Sequence, residues 1–269
     1  NLKNFIDLNL IIIIMKNIVL LILFTAILSS CSSFKMNLAL KHLGVYDDQV
    51  QISAYENKQS KILLIPMHHV GTQKFYDDVK NKIDSLNKID YSFYYEGIKI
   101  DSINRDSINI DKDIRKLRKI TGVIPSAENY LNKFKVLAEQ MNYTFKKELV
   151  GQPSNKKLGL VSSDINSKNV DINLSELIES YEEKNGEVKL EECDLNTGLK
   201  KEYKCQDIEV NIEALKDVFI SRRNKLIINQ LKRNKSKNIV IVYGKKHFQE
   251  IIEFLSDEEY QKIKPDAES

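Results

Sequence analysis

Four histidines occur in the 269 residues, and three of them follow apolar runs. Ile62-Leu63-Leu64-Ile65-Pro66-Met67 leads into His68-His69, and Ile239-Val240-Ile241-Val242-Tyr243-Gly244 leads into Lys245-Lys246-His247. Between them, Ile89 to Tyr95 stops at Glu96-Gly97. Arg222-Arg223 stands on a helical pattern where Leu215, Val218, Phe219 and Leu226 form one apolar arc, both arginines inside or at its edge. An arginine on an apolar face needs a carboxylate or an anionic ligand group. Imidazoles, a carboxylate and a guanidinium gathered at strand ends could hold a metal or run acid–base chemistry. Taken singly, each has a plainer reading: helix cap, loop bond, salt bridge or surface residue.

The elements that must position these groups read as an α/β domain with a mostly parallel central sheet flanked by helices. Runs without polar alternation suit strands buried on both faces, and ligand sites of such sheets collect at the carboxyl ends of strands. The pattern predicts a short strand near Gln51–Tyr55, a strand over Lys61–Met67, a helix over Gly71–Leu86 carrying Phe75, Val79 and Ile83, and a strand over Ile89–Tyr95. Strand, helix and strand imply a right-handed parallel crossover. A helical insertion follows between the early and late strands. It comprises a helix from Asp111, a second one capped by Ser126, an irregular stretch over 150–173 and a short helix over Leu174–Glu182. A long helix, Ile212–Lys232, precedes the last strand, and one or two helices close the chain.

The amino terminus reads as a targeting segment. Met15-Lys16-Asn17, the apolar Ile18–Leu28 and Ser29-Ser30-Cys31 make a secretory signal too short to span a bilayer. Leu28-Ser29-Ser30-Cys31 resembles a bacterial lipobox, which makes Cys31 the lipidated first residue of a protein held in the cell envelope, outside the cytoplasm. The expected division is upstream translation over 1–14, signal peptide over 15–30, lipid anchor and tether over 31–60 and the domain over 61–263. Losing Lys3, Lys16 and Asp7 takes the net charge from +3 to +2, which argues against nucleic acid and leaves the membrane link to the lipid. Cys193 and Cys205 lie in a polar segment without nearby histidines. Outside the cytoplasm they suit a disulfide closing a surface hairpin better than a metal pair.

The ordered set of motifs resembles the TraB/PrgY/GumN family, related to the Tiki proteases and more distantly to ChaN and erythromycin esterase. The resemblance runs from about Lys61 to Leu255. Pro66-Met67-His68-His69-Val70 stands where that family has Gly-x-x-His-Val, Tyr95-Glu96-Gly97 matches its glutamate, Arg223-Asn224 its arginine motif and Gly244-Lys245-Lys246-His247 its second Gly-x-x-His. Asn169-Val170-Asp171-Ile172 resembles its mid-chain Asn-Ala-Asp-Val stretch. Pro66 replaces a glycine, His68 is additional, and Arg222 replaces an acidic residue. The resemblance implies a metal-dependent, peptidase-like hydrolase. His69, His247 and Glu96 would be ligands of zinc, manganese or cobalt, Glu96 also a general base, and Arg223 would bind a substrate carboxylate or the oxyanion. His68 and Arg222 are additional candidates. As the alternative, it implies a non-catalytic lipoprotein that binds or sequesters a secreted peptide signal. Haem, bound by ChaN-like relatives, is the weakest expectation: Tyr94, Tyr95 and His68 could serve as axial ligands, but no apolar slot is marked beside them.

Overall fold

The structure is a computed structural model and describes residues 35–101, 106–124, 126–205, 212–234 and 237–265. The expected upstream stretch, signal peptide and Cys31 lie outside the described residues. Helix α1 covers residues 35–42. Strands β1 (Ser53–Glu56), β2 (Lys61–Met67) and β3 (Val70–Gly71) follow, then α2 (Gln73–Asn87) and β4 (Ser92–Tyr95). The insertion holds α3 (Ser107–Thr121), α4 (Ala127–Gln140), β5 (Val150–Gly151), β6 (Ser167–Asn169), α5 (Leu174–Asn185) and α6 (Glu192–Asn196). The last part comprises α7 (Ile212–Lys216), a π turn over Asp217–Ser221, α8 (Arg222–Arg233), β7 (Asn238–Gly244), a 3-10 turn over Lys245–His247, α9 (Phe248–Asp257) and β8 (Gln261–Ile263).

The main sheet has the order β6-β4-β7-β2-β1-β8. β6, β4, β7 and β2 are parallel neighbours, and β1 runs antiparallel to both β2 and β8. This is the expected mostly parallel α/β sheet, with β7 inserted between the two strands of the early crossover. In β2 and β7, alternate residues go to opposite faces, and both faces are covered. Leu63, Ile65, Val240 and Val242 meet Phe75, Val79, Ile83 and Leu86 of α2. Ile62, Leu64, Ile239 and Ile241 meet Ile227 and Leu231 of α8 and Ile251 and Leu255 of α9. Each such fully buried side chain contributes about 1.5–3 kcal/mol. Pro66 is accommodated because β1 pairs with β2 only as far as Leu64, leaving Pro66 a strand neighbour on the β7 side alone.

Five expectations need correction. The 31–60 tether is part of the fold from residue 35 onward: Leu40, Val45 and Tyr46 join an apolar cluster with Val70 and Leu149, and β1 is a strand of the main sheet. The irregular 150–173 stretch contains β6, and the closing helices end in β8. Both strands are three residues long, polar in sequence and on sheet edges, so no apolar run marks them. The strand expected over Ile89–Tyr95 begins at Ser92, after a turn in which Asp90 has φ 61°. The cysteine segment is no hairpin. The Glu191 N–H donates to Asp194 Oδ2 (2.9 Å) and starts α6. Cys193 on that helix forms the expected disulfide with Cys205. Arg115 and Arg118 hold the closed loop by donating to the carbonyls of Asp194 and Thr197.

Candidate functional site

The carboxyl ends of all four parallel strands converge. β4 ends just before Glu96, β6 two residues before Asp171, β7 at the turn carrying His247, and β2 just before His68-His69. The register sets Tyr95 beside both Val242 and Asn169. The Glu96 N–H donates to the carbonyl of Val242 (3.2 Å), and the Gly244 N–H donates to Glu96 Oε2 (2.6 Å). Glycine suits that approach: a Cβ on Gly244 would stand 3.0 Å from Glu96 Oε2 and press on the carboxylate. Asp171 is fixed from two loops, its carboxylate accepting from the N–H of Ile172 beside it and from the N–H of Gly97 after β4 (both 2.8 Å).

Arg223 ties the strands together. Its Nε donates to Asp171 Oδ1 (2.7 Å), and its Nη2 donates to Asp171 Oδ2 (2.6 Å) and Glu96 Oε1 (2.7 Å). Its Nη1 donates to the carbonyl of Phe219 (3.2 Å) and faces His247 Nε2 at 3.5 Å. A guanidinium has five N–H groups, and all five point at protein acceptors. Burial works against the charge of Arg223, yet the hydrogen bonds and charge of Asp171 and the charge of Glu96 raise its pKa above the ordinary range. Burial likewise pushes Asp171 up, but Arg223 and the two N–H donors outweigh it and hold the carboxyl below its usual range.

The π turn explains why only one of the two arginines is here. The Arg222 N–H bonds back to the carbonyl of Asp217, five residues earlier, so one extra residue enters the turn and rotates the helix beyond it. An uninterrupted wheel puts both arginines near the apolar arc. In the structure Arg223, Asn224, Ile227 and Leu231 are buried, and Arg222 lies at the surface, 3.4 Å from Glu183. Arg222 is thereby removed from the candidate site.

The 3-10 turn after β7 carries His247 inward while Lys245 and Lys246 stay exposed. Asn224 Nδ2 donates to the His247 carbonyl (3.2 Å) and to Glu250 Oε2 (3.0 Å), so Asn224 Oδ1 is the acceptor that faces His247 Nδ1 at 2.7 Å. Nδ1 therefore carries the proton, and Nε2 offers a lone pair toward Arg223 and Glu96 Oε1 (3.7 Å). Burial lowers the His247 pKa to about 4, Glu96 only partly opposing it. Ser221 Oγ completes the support by donating to Glu250 Oε1 (2.6 Å).

The β2 histidines part company. His68 lies against Gly44 and Phe75, away from the arginine cluster. His69 keeps contact with solvent and stacks on Tyr130 of α4 (ring centroids 4.3 Å apart, planes 12° apart). Burial against its neighbours lowers the His69 pKa; burial raises that of Tyr130. The charge of Glu96 acts on both rings, so the stack lies within electrostatic reach of the end of β4. Beside them, a cavity of about 500 Å³ is lined by Tyr76, Lys80, Glu128, Leu131, Gln152 and Lys157, among others. The Gln152 N–H donates to the His69 carbonyl (2.9 Å) and joins cavity to cluster.

The expected metal ligands can be tested against this arrangement. A cation bound by His247 Nε2 and Glu96 Oε1 would have to displace Arg223 Nη1 and Nη2 from those same atoms. Among the described residues no three His, Cys, Asp or Glu side chains are grouped to hold a metal. His69, His247 and Glu96 do not fit a divalent cation as they stand. Of the expected haem ligands, Tyr94 is packed in the core, where its hydroxyl accepts from Gln230 (3.3 Å), and His68 packs against Phe75.

Asp171, the residue most tightly bound to Arg223, was visible in the sequence only through the motif resemblance of Asn169–Ile172. Asn224 was visible in the same way, and Glu250 and Ser221 carried no signal. Compared with family models, curated proteins and solved structures, the chain matches none of them.

Proposed function

We propose that this chain is an envelope lipoprotein of the TraB/PrgY/GumN type that binds a secreted peptide at the carboxyl edge of its sheet without cleaving it. The observation that carries this reading is the engagement of Arg223. All five of its N–H groups are taken by Asp171, Glu96, Phe219 and His247, so none is left for a substrate carboxylate or an oxyanion. His247 is buried and neutral within the same cluster. The residues expected to do chemistry brace one another. What is offered to a ligand is the neighbouring cavity, whose lining mixes Lys80 and Lys157 with Asp77 and Glu128 around Tyr76, Leu131 and Leu158. Both signs of charge around an apolar floor suit the termini and side chains of a short peptide. The motif resemblance and the lipobox support the envelope assignment.

A second reading, hydrolysis, rests on Glu96. Its side chain keeps 18 % of its surface open and lies within electrostatic reach of the His69 imidazole, and a carboxylate and an imidazole brought together on one water are able to activate it. Calorimetric titration of the full chain with a pool of synthetic octapeptides separates the two readings, with product analysis in the presence of zinc, manganese or cobalt. Saturable binding that Lys157→Glu weakens, with the peptides recovered intact, is the expected result. Cleavage abolished by Glu96→Gln would replace binding by hydrolysis. Neither binding nor cleavage would overturn both.

A further inference from the structure

At the amino end of the described chain, α1 is fastened to the domain rather than trailing from it. Asn37 is buried and accepts from the hydroxyls of Tyr46 (2.5 Å) and Tyr143 (2.6 Å), while its Nδ2 donates to the Thr144 carbonyl (3.2 Å). Leu40, Val45 and Tyr46 bury against Val70 and Leu149. The outward side of this unit is of a different character. Leu38 and Leu43 are 44 % and 59 % exposed. Leu38 and Lys41 line a cavity of about 370 Å³ together with Tyr46, Asp47, Lys146 and Lys147. Lys35, Lys41 and Lys146 are exposed, whereas Lys147 pairs with Asp48 (2.8 Å). In the lining of the cavity three lysines, Lys41, Lys146 and Lys147, stand against one acidic residue, Asp47, an excess of positive charge.

We propose that this face docks on an anionic lipid bilayer, with Leu38 and Leu43 at the headgroup boundary and a lipid phosphate received between Lys41 and Lys146. The proposal rests on lipidation of Cys31. Only four residue steps separate Cys31 from Lys35, a reach of at most about 14 Å. A lipid on Cys31 therefore holds α1 within roughly the depth of the headgroup layer and one screening length of it. There is no long tether to lift the domain away. Exposed leucines flanked by lysines are the composition that such an interface selects. Tyr130, which stacks on His69, packs against the same apolar cluster.

The test uses the full chain expressed with its signal and reconstituted into vesicles. Mass spectrometry of the amino-terminal peptide first establishes acylation of Cys31. Nitroxide labels on Leu38→Cys, Leu43→Cys and, at the opposite sheet edge, Gln261→Cys are then compared for collision with oxygen and with a water-soluble nickel complex. In vesicles containing phosphatidylglycerol, the labels at 38 and 43 should be shielded from nickel and the label at 261 should not. Lys41→Glu/Lys146→Glu should return the first two labels to water with acylation unchanged, each lysine being worth about a fivefold change in partition. Labels at 38 and 43 that stay in water on an acylated chain would overturn the docking face alone. An unacylated Cys31 would overturn the anchor and the docking face with it, while leaving peptide binding standing.

Discussion

His247 couples the state of the cluster to pH. In the folded protein burial lowers its pKa from 6.5 to about 4, and the neutral ring is held by Asn224 on Nδ1 and faces Arg223 from Nε2. Between those two pH values the unfolded chain binds a proton at this imidazole and the folded chain does not. Stability therefore rises with pH across the window and falls on acidification. Each pH decade is worth about 1.4 kcal/mol, so going from pH 6.5 to 4 removes about 3 kcal/mol, with no discount for solvent because only 3 % of the residue is exposed. His68 and His69 are shifted in the same direction, so the measurement must isolate His247. Urea unfolding at half-unit intervals from pH 4 to 7.5, on the wild type and on His247→Gln, does this by difference. The variant loses the imidazole slope but keeps those of the other histidines. Proton NMR of the His247 ring should show no titration down to about pH 5. Equal slopes in the two proteins, or a His247 resonance titrating near 6.5, would refute the neutral-ring assignment and with it the sealed cluster.

Three further outcomes follow from the same geometry. Arg223→Met leaves Asp171, fully buried, and Glu96 without their cation, and should cost about 3–5 kcal/mol in denaturant unfolding at pH 7. Adding Asp171→Asn should recover part of that loss, and strictly additive costs would contradict the pairing. Gly244→Ala should cost about 1–3 kcal/mol, because the new methyl meets Glu96 Oε2 at 3.0 Å. A displaced Glu96 carboxylate in the variant's crystal structure would confirm the cause. Cys193→Ser/Cys205→Ser opens a loop of thirteen residues, both cysteines counted, and should lower stability by up to about 3 kcal/mol. It should also speed amide exchange in α6, whose carbonyls Arg115 and Arg118 then hold less firmly.

Much of the fold was legible because burial on both faces of a sheet leaves a mark on composition. Ile62–Ile65 and Ile239–Val242 have no polar alternation, and that absence identified the two central strands and the edge on which to seek a site. Phe75, Val79 and Ile83 marked α2 for the complementary reason, since only one face of that helix packs. β6 and β8 left no such mark. An edge strand of three residues is held by backbone hydrogen bonds, which any sequence can make, so Ser167–Asn169 and Gln261–Ile263 read as loop or helix. The amino-terminal unit was misjudged as a tether because its anchoring depends on long-range bonds from Asn37 to Tyr143 and Thr144.

The candidate site divides along the same line. The amino-acid sequence alone determined which groups would stand at strand ends: His68 and His69 after β2, Glu96 after β4, His247 after β7, and an arginine pair on the helix before it. It also determined that an arginine on an apolar face must find a carboxylate or an anionic ligand group. Tertiary structure decided the rest. One extra residue in the π turn selected Arg223 and sent Arg222 to Glu183. The pairing of β6 beside β4 brought Asp171 to Arg223 as its closest partner. Stacking set His69 against Tyr130 of α4, and the packing of His68 against Phe75 drew that ring away from the arginine cluster. These outcomes depend on helix phase and strand order, which arise from contacts between segments far apart in the chain and leave no local pattern to read.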